Sequence, residues 1–281
     1  AGFSLGAEGI LFWDSYKIDG LSQFFKFAVA LGFTIAVLNA SSQPTLEPEK
    51  RADYFLLLSL SALGLMCLAS AVELVTIYLA LELSSYSLYA LIPLRGREPR
   101  AAEAGIKYIL FGAAATALSL FGLAYILAGQ HSSYLSVLAG RPWTWAAAPV
   151  GIIGLTLFMA GFFYKLALFP FHFWAPDVYD GASNETAAYA ATLPKLGAVV
   201  ILIRLAAMLK PGLQLTTILA VLGAASMTFG NLAALTQQDI KRMLGYSSVA
   251  HAGYVMVGLV AASASGLAAA GFYSLIYVLM N

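Results

Sequence analysis

The side chains able to move protons in this chain are few, and most of them lie inside apolar runs. Glu82 sits within Ile77-Tyr78-Leu79-Ala80-Leu81-Glu82-Leu83, Lys165 follows Gly161-Phe162-Phe163-Tyr164, and Lys195 lies between Leu193-Pro194 and Leu196-Gly197-Ala198-Val199-Val200. Placing an ionisable group at bilayer depth costs roughly 2.5–3.5 kcal/mol on insertion scales, so groups kept there are as a rule paired or functional. Desolvation and an opposite charge pull a titration in opposing senses, and a buried carboxylate beside a buried amine can be tuned to exchange protons near neutral pH. The plainer reading of Glu82 is a carboxyl held neutral by desolvation, or one bonded to Ser84 or Ser85. Lys107 follows a basic loop closely enough to snorkel to the interface instead.

Lys165 stands just ahead of Pro170 and Pro176. Each proline removes a backbone donor and disfavours helix in the residue before it, so the helix is expected to break after Lys165. Irregular backbone at membrane depth is tolerated where it is buried or lines a cavity, and broken helices mark ion paths in transporters. His172 would sit at that break, either relaying protons or bonding freed carbonyls. His251, in Tyr246-Ser247-Ser248-Val249-Ala250-His251, carries the same two readings. Arg204 reads as an interfacial anchor or the partner of an acidic group. Asp177, Asp180 and Glu185 have no Lys or Arg close in sequence and read as a solvated turn.

These side chains must be carried by membrane helices. Of 281 residues, 60% are hydrophobic and only 10% charged, and the mean hydropathy is +0.82. A soluble domain averages about a quarter charged residues, so a soluble enzyme is excluded, as is a disordered chain. A net charge of +1 supplies no footprint for nucleic acid, and the single cysteine, Cys67, cannot form an internal disulfide. Runs long enough to span, at roughly 20 residues each, fall near 20–40, 54–72, 74–93, 104–128, 150–170, 186–209, 214–235, 243–262 and 266–281. None alternates with the period of a membrane β-barrel. The fold class is an all-α polytopic membrane protein with about nine spans in a single transmembrane domain over 1–281.

Lys50 and Arg51, then Arg95, Arg97 and Arg100, then Lys241 and Arg242 occupy loops that fall on one face by crossing parity, against only Arg141 and Lys210 on the other. The positive-inside rule places the three basic loops in the cytoplasm. The chain has no initiator Met, and its last run stops at Asn281 without a cap or charged anchor. These features predict the middle of a longer protein. There is no cysteine cluster for iron–sulfur, no Gly-rich phosphate loop and no histidine pair at haem-like spacing. With buried acid, lysines and histidine but no cofactor or metal ligands, such a chain is expected to move ions rather than electrons.

The string Tyr164-Lys165-Leu166-Ala167-Leu168-Phe169-Pro170-Phe171-His172-Phe173-Trp174-Ala175-Pro176-Asp177 resembles the antiporter-like membrane subunits of respiratory complex I. Val178-Tyr179-Asp180-Gly181 is most similar to the N-type subunits, the counterparts of mitochondrial NADH dehydrogenase subunit 2. Two further matches are Gly230-Asn231-Leu232 through Gln237, continuing from Lys241 to Tyr254, and Leu81-Glu82-Leu83 with Ala104-Gly105-Ile106-Lys107-Tyr108. The resemblance implies a fold of roughly fourteen helices with inverted repeats and two broken helices, of which this chain would hold the third to the eleventh. It implies that Glu82 pairs with Lys165 on the first broken helix, that Lys195 is the next lysine of a central axis, that His251 continues that axis, and that Lys107 matches a lysine of the N type. The chain departs from the family at Ser183-Asn184-Glu185-Thr186, where proline-rich residues are usual, and at Pro194; both leave the charged positions intact.

The implied activity is proton translocation within a NADH:quinone oxidoreductase of the energy-coupling, bacterial cytoplasmic membrane. Other membrane-arm subunits and lipids would be the partners, with no nucleic acid. NADH, FMN, iron–sulfur clusters and quinone would belong to partner subunits and none to this chain. Quinone reduction elsewhere would alter the Glu82–Lys165 pair; at an effective dielectric of about 20, a contact pair is worth roughly 4 kcal/mol, enough to switch occupancy. Two other classes share these motifs: the large subunit of a multisubunit cation/proton antiporter, and the equivalent subunit of a ferredoxin- or deazaflavin-dependent complex. A passive scaffold would gain nothing from the cost of burying Glu82, Lys165 and Lys195.

Overall fold

The computed structural model describes residues 6–41, 47–95, 98–208 and 214–281, without the side chains of residues 208, 214 and 215. Arg97 and Lys210, which entered the loop-charge reading, lie outside the described residues. A short antiparallel hairpin, β1 (Gly9–Leu11) and β2 (Tyr16–Ile18), leads into α1 (Gly20–Ala40), α2 (Arg51–Ser70), α3 (Leu74–Leu91) and α4 (Pro99–Gln130). A single turn, α5 (Leu135–Leu138), precedes α6 (Pro149–Phe158), α7 (Ala160–Leu166) and α8 (Trp174–Gly181). The long α9 (Asn184–Met208), α10 (Gln214–Leu235), α11 (Ile240–Val260) and α12 (Ala264–Met280) follow.

Near-continuous apolar runs set the helices, and capping residues set their starts. The Asp19 carboxylate accepts from the Ser22 amide, Glu73 from Val75 and Thr76, and Asp239 from Lys241 and Arg242, while Pro99 and Pro149 occupy first turns. Among the described residues, eight segments are long and apolar enough to cross a membrane, and α12, with 17 residues, is a shorter apolar ninth. The nine expected runs are therefore present. The hairpin was not foreseen, because three residues per strand are too few to show a period-2 pattern.

The broken helix lies where expected, but its construction differs. The α7 ending uses Ala167 in the left-handed conformation (φ 57°), with Leu168 N–H donating to Phe163 O and Ala167 N–H to Tyr164 O, both at 2.9 Å. This is a Schellman ending. Pro176 takes no part in the break: it lies in the first turn of α8, where a missing N–H costs little. A second interruption, at Met159 between α6 and α7, carried no sequence signal. There the Ser119 hydroxyl of α4 donates to Phe158 O and accepts from Gly161 N–H. Pro194, by contrast, sits within α9 without ending it.

Contacts define two ends of the bundle. At one end Lys107 and Arg242 meet Asp177, and Arg95 and Lys241 reach carbonyls at the end of α8. At the other, Arg204 of α9 binds Asp19 with two bonds of 2.9 Å, and Val72 N–H donates to Ser15 O of the hairpin. Between them, α9 is the most buried of the spans and packs on α1, α2, α7, α11 and α12. A close approach brings α11 onto α8: a Cβ at Gly245 would stand 2.7 Å from Pro176 Cα, so only glycine lets these backbones meet.

Candidate functional site

Lys165 is 2% exposed and lies in the last turn of α7. Its Nζ donates to Tyr108 Oη at 3.2 Å and lies 5.4, 5.8 and 5.9 Å from the ring centroids of Tyr108, Tyr164 and Tyr89. Three aromatic faces and one hydroxyl thus surround the ammonium, an arrangement that stabilises positive charge where water is excluded. The cage is itself held in place. Tyr164 Oη donates to Tyr108 O at 2.7 Å, and Trp174 Nε1 of α8 donates to Tyr164 O at 2.8 Å.

Glu82, 5% exposed on α3, accepts from Thr116 Oγ1 of α4 at 2.9 Å, and its Oε2 is buried without a partner of ordinary hydrogen-bond geometry. The plain alternative bonds are absent: Ser84 pairs with Ser61 Oγ at 3.0 Å, and Ser85 donates to Leu81 O. The expected Glu82–Lys165 contact pair is not formed either. Among the described residues no ion pair within 4 Å joins them, although Glu82 is the charge whose field acts on Lys165. The tyrosine cage takes the place that the carboxylate was expected to fill.

Lys195, 5% exposed at mid-α9, reaches α11. Nζ donates to Ser248 O at 3.3 Å and makes a short contact with Ser248 Oγ, and it lies 5.4 Å from the Tyr277 ring centroid. A cavity of about 20 Å³ opens beside it, lined by Leu166, His251, Ser274 and Tyr277 among others. That is room for about one water, between walls that are almost wholly apolar. His251 bonds Tyr273 Oη through Nδ1 at 2.5 Å, and its ring centroid lies 5.1 Å from that of Tyr277 with the planes tilted by 51°. Lys195 and His251 are therefore brought to one cavity, which Leu166, next to Lys165, also lines.

Two expected residues stand apart. His172 is buried in an aromatic box, 5.4 Å from Phe169, 4.4 Å from Phe173 and 4.7 Å from Phe229 between ring centroids, and makes no contact with either lysine. Lys107 is part-exposed at the bundle's end, ion-paired to Glu103 and Asp177 at 2.7 Å each. Asp177 also meets Arg242 at 2.5 Å, so the reading of 177–185 as an unpaired, solvated turn is incorrect. Its partners come from 65 and 70 residues away, a distance that sequence proximity cannot register. Arg204 is confirmed as the partner of an acidic group, Asp19. The residues that sequence reasoning missed are hydroxyls: Tyr108, Tyr164, Thr116, Tyr179, Ser248 and Tyr277. Tyr108, Tyr164, Tyr179 and Ser248 lie within the family-like strings but were assigned no role there, and Thr116 and Tyr277 carried no signal beyond a polar oxygen inside an apolar run.

Among the described residues no three His, Cys, Asp or Glu side chains converge as a metal site would require. The arrangement is a series of ionisable groups buried among apolar side chains.

Residues 71–281 match the model of the NADH:quinone oxidoreductase/Mrp antiporter transmembrane family. The chain belongs to that family. All six of Glu82, Lys107, Lys165, His172, Lys195 and His251 lie inside the residues matched by the NADH:quinone oxidoreductase/Mrp antiporter model, whereas the hairpin, α1 and α2 precede them. NADH-quinone oxidoreductase subunit N 2 of Solidesulfovibrio magneticus is 67% identical over 99% of this chain and 60% of that protein. A chain of respiratory complex I from Thermus thermophilus with bound aureothin superposes at a TM-score of 0.84 with 37% identity, covering 99% of this chain and 58% of the other. A chain of the membrane-bound sulfane sulfur reductase, an archaeal respiratory membrane complex, reaches the same TM-score at 26% identity over 94% of this chain and 54% of its own length. The chain spans about 60% of the length of the curated relatives it matches. The motif resemblance to the antiporter-like family, and to its N-type branch, agrees with these matches.

Proposed function

We propose that the full-length protein is a proton-translocating, N-type membrane-arm subunit of a NADH:quinone oxidoreductase, with this chain forming part of its single transmembrane domain. The observation that carries the reading is the burial of two lysines and a glutamate at the centre of the bundle on hydroxyl partners rather than on counter-ions. In this reading Lys165 is charged while its tyrosine cage and the field of Glu82 favour the ammonium. Movement of Glu82 away from Lys165 weakens that preference, and the proton passes by way of the Leu166-lined cavity to Lys195 and on to His251. His172 and Lys107 act at the margins, His172 in packing the break and Lys107 in holding α8. The redox steps, with NADH, FMN, iron–sulfur clusters and quinone, belong to partner subunits, and the three basic loops face the cytoplasm of a bacterial membrane.

The test has two stages. The tagged full-length protein is solubilised in mild detergent, and flavin and iron–sulfur subunits are expected to co-purify. Small hydrophobic partners alone would favour a cation/proton antiporter, and a set lacking NADH-oxidising activity would favour another respiratory complex. Glu82→Ala is then expected to lower NADH-driven proton uptake by inverted vesicles about tenfold, in keeping with loss of a charge interaction of 1–2 kcal/mol, with assembly unchanged. Normal uptake in that variant would sink the Glu82–Lys165 coupling.

A further inference from the structure

Ser248 is 1% exposed, and its hydroxyl is shared three ways. Oγ contacts Lys195 Nζ, lies 2.9 Å from Tyr179 Oη of α8, and accepts from Tyr277 Oη of α12 at 3.0 Å. A hydroxyl has two lone pairs and one proton, so three neighbours use its full capacity. An ammonium has donors only; with Lys195 charged, Lys195 and Tyr277 fill both lone pairs and the Ser248 proton must point at Tyr179. A neutral amine offers a lone pair. Because the amine also keeps two N–H donors, the reversal is permitted rather than forced: the Ser248 proton can turn to Lys195, and Tyr179 then donates into Ser248. No covalent bond between heavy atoms changes; one O–H rotates and its neighbour reverses.

Tyr179 is the point at which this reversal leaves the lysine's surroundings. It sits on α8, five residues after Trp174, whose indole holds Tyr164 O in the Lys165 cage. Thus α8 touches the neighbours of both lysines, and Gly245 brings α11 close enough for Ser248 to meet it. The rest of α8 is fixed: Asp177 is held by Lys107 and Arg242, and the carbonyls of Asp180, Gly181 and Ala182 accept from Arg95 at 3.2–3.4 Å. An element held at its middle and its C-terminal end, and bonded to neighbours of both lysines, can pass the state of one to the other.

We infer that Ser248 is a positioning residue for Lys195, whose hydroxyl reverses its bond to Tyr179 as Lys195 gains and loses a proton, so that α8 reads the charge of the second lysine. The inference rests on the proposal that Lys195 changes protonation during turnover.

The experiment uses the full-length protein in its assembled complex, in inverted vesicles with NADH as donor. Proton uptake per NADH oxidised is measured, and assembly is checked on native gels. Ser248→Ala is expected to lower uptake at least fivefold with assembly unchanged, and Ser248→Thr, which keeps the hydroxyl, to restore it within twofold. Tyr179→Phe is expected to lower uptake at least threefold, and the double variant to be no worse than Ser248→Ala, since both cut one connection. Wild-type uptake in Ser248→Ala, or additive losses in the double variant, overturns the inference. Should Ser248→Ala fail to assemble, Tyr179→Phe decides alone, and wild-type uptake in it is equally fatal. Lys195→Met separates the two levels. If it pumps normally, the proposed role of Lys195 falls and the inference with it; if it does not pump while Ser248→Ala does, the inference alone falls.

Discussion

Lys165 illustrates how a buried lysine can be accommodated without a counter-ion in contact. A cation over an aromatic face is worth from about 0.5 to 2 kcal/mol, more where water is excluded, and Lys165 has three such faces and a hydroxyl. The cage depends on where α7 stops, and that is set by Ala167, which is fully buried at φ 57° and ψ 37°. For a non-glycine residue the left-handed region costs roughly 1–2 kcal/mol. Ala167→Gly is expected to raise stability by about 1 kcal/mol in thermal unfolding of the detergent-solubilised protein, and Ala167→Val to lower it by more than that, since a β-branched side chain tolerates the conformation worse. Equal stabilities for the three proteins would show that Ala167 carries no strain. Neither Ala167 nor the tyrosines could be selected from the sequence, where an alanine in an apolar run and a tyrosine near a lysine are both ordinary.

At the scale of the element, α8 matters most, being eight residues long and too short to be stable alone. It persists because its neighbours hold it: Trp174 and Tyr179 are bonded inside the bundle, and its charged side is clamped from two other helices. Burial alone would raise the Asp177 carboxyl, but the hydrogen bonds from Lys107 and Arg242 outweigh it and hold the group below its ordinary value of 3.8. The clamp therefore contributes its full stability above that value and loses it only as the pH falls through the lowered one. Asp177→Asn is expected to leave Lys107 and Arg242 without their shared partner and to speed amide hydrogen exchange over 174–183 about tenfold at neutral pH. Unchanged exchange would mean that the Arg95 and Lys241 contacts suffice. The prolines announced a break, but the sequence did not show that Asp177 would meet Lys107 and Arg242, because both partners lie on separate spans.

The whole molecule is tied at its other end by Asp19 and Arg204, 185 residues apart. Burial raises the Asp19 carboxyl, and the Arg204 guanidinium with the Ser22 amide and hydroxyl more than offset this, so the group falls from 3.8 to about 2. A carboxylate depressed in the folded state adds stability that is complete above pH 3.8 and is lost as the pH falls toward 2, worth about 2 kcal/mol at neutral pH. Asp19→Asn, which keeps the helix cap, is expected to lose about that much in thermal unfolding at pH 7 and little at pH 2. A variant whose deficit is the same at both pH values would place the effect elsewhere.

The sequence by itself determined the class of molecule, the number of spans, the site of the broken helix and the family, since each depends on the local order of apolar residues, prolines and a few charges. It also marked Glu82, Lys165 and Lys195, because an ionisable residue in an apolar run stands out without any partner being known. Tertiary structure decided what those residues touch. It separated Glu82 from Lys165, gave the one to Thr116 and the other to tyrosines, set Lys195 on Ser248 beside His251, and left His172 among phenylalanines. The physical reason is that hydrogen bonds between helices depend on the rotation and depth of each helix. Those are fixed by close approaches such as Gly245 against Pro176, which no single helix encodes.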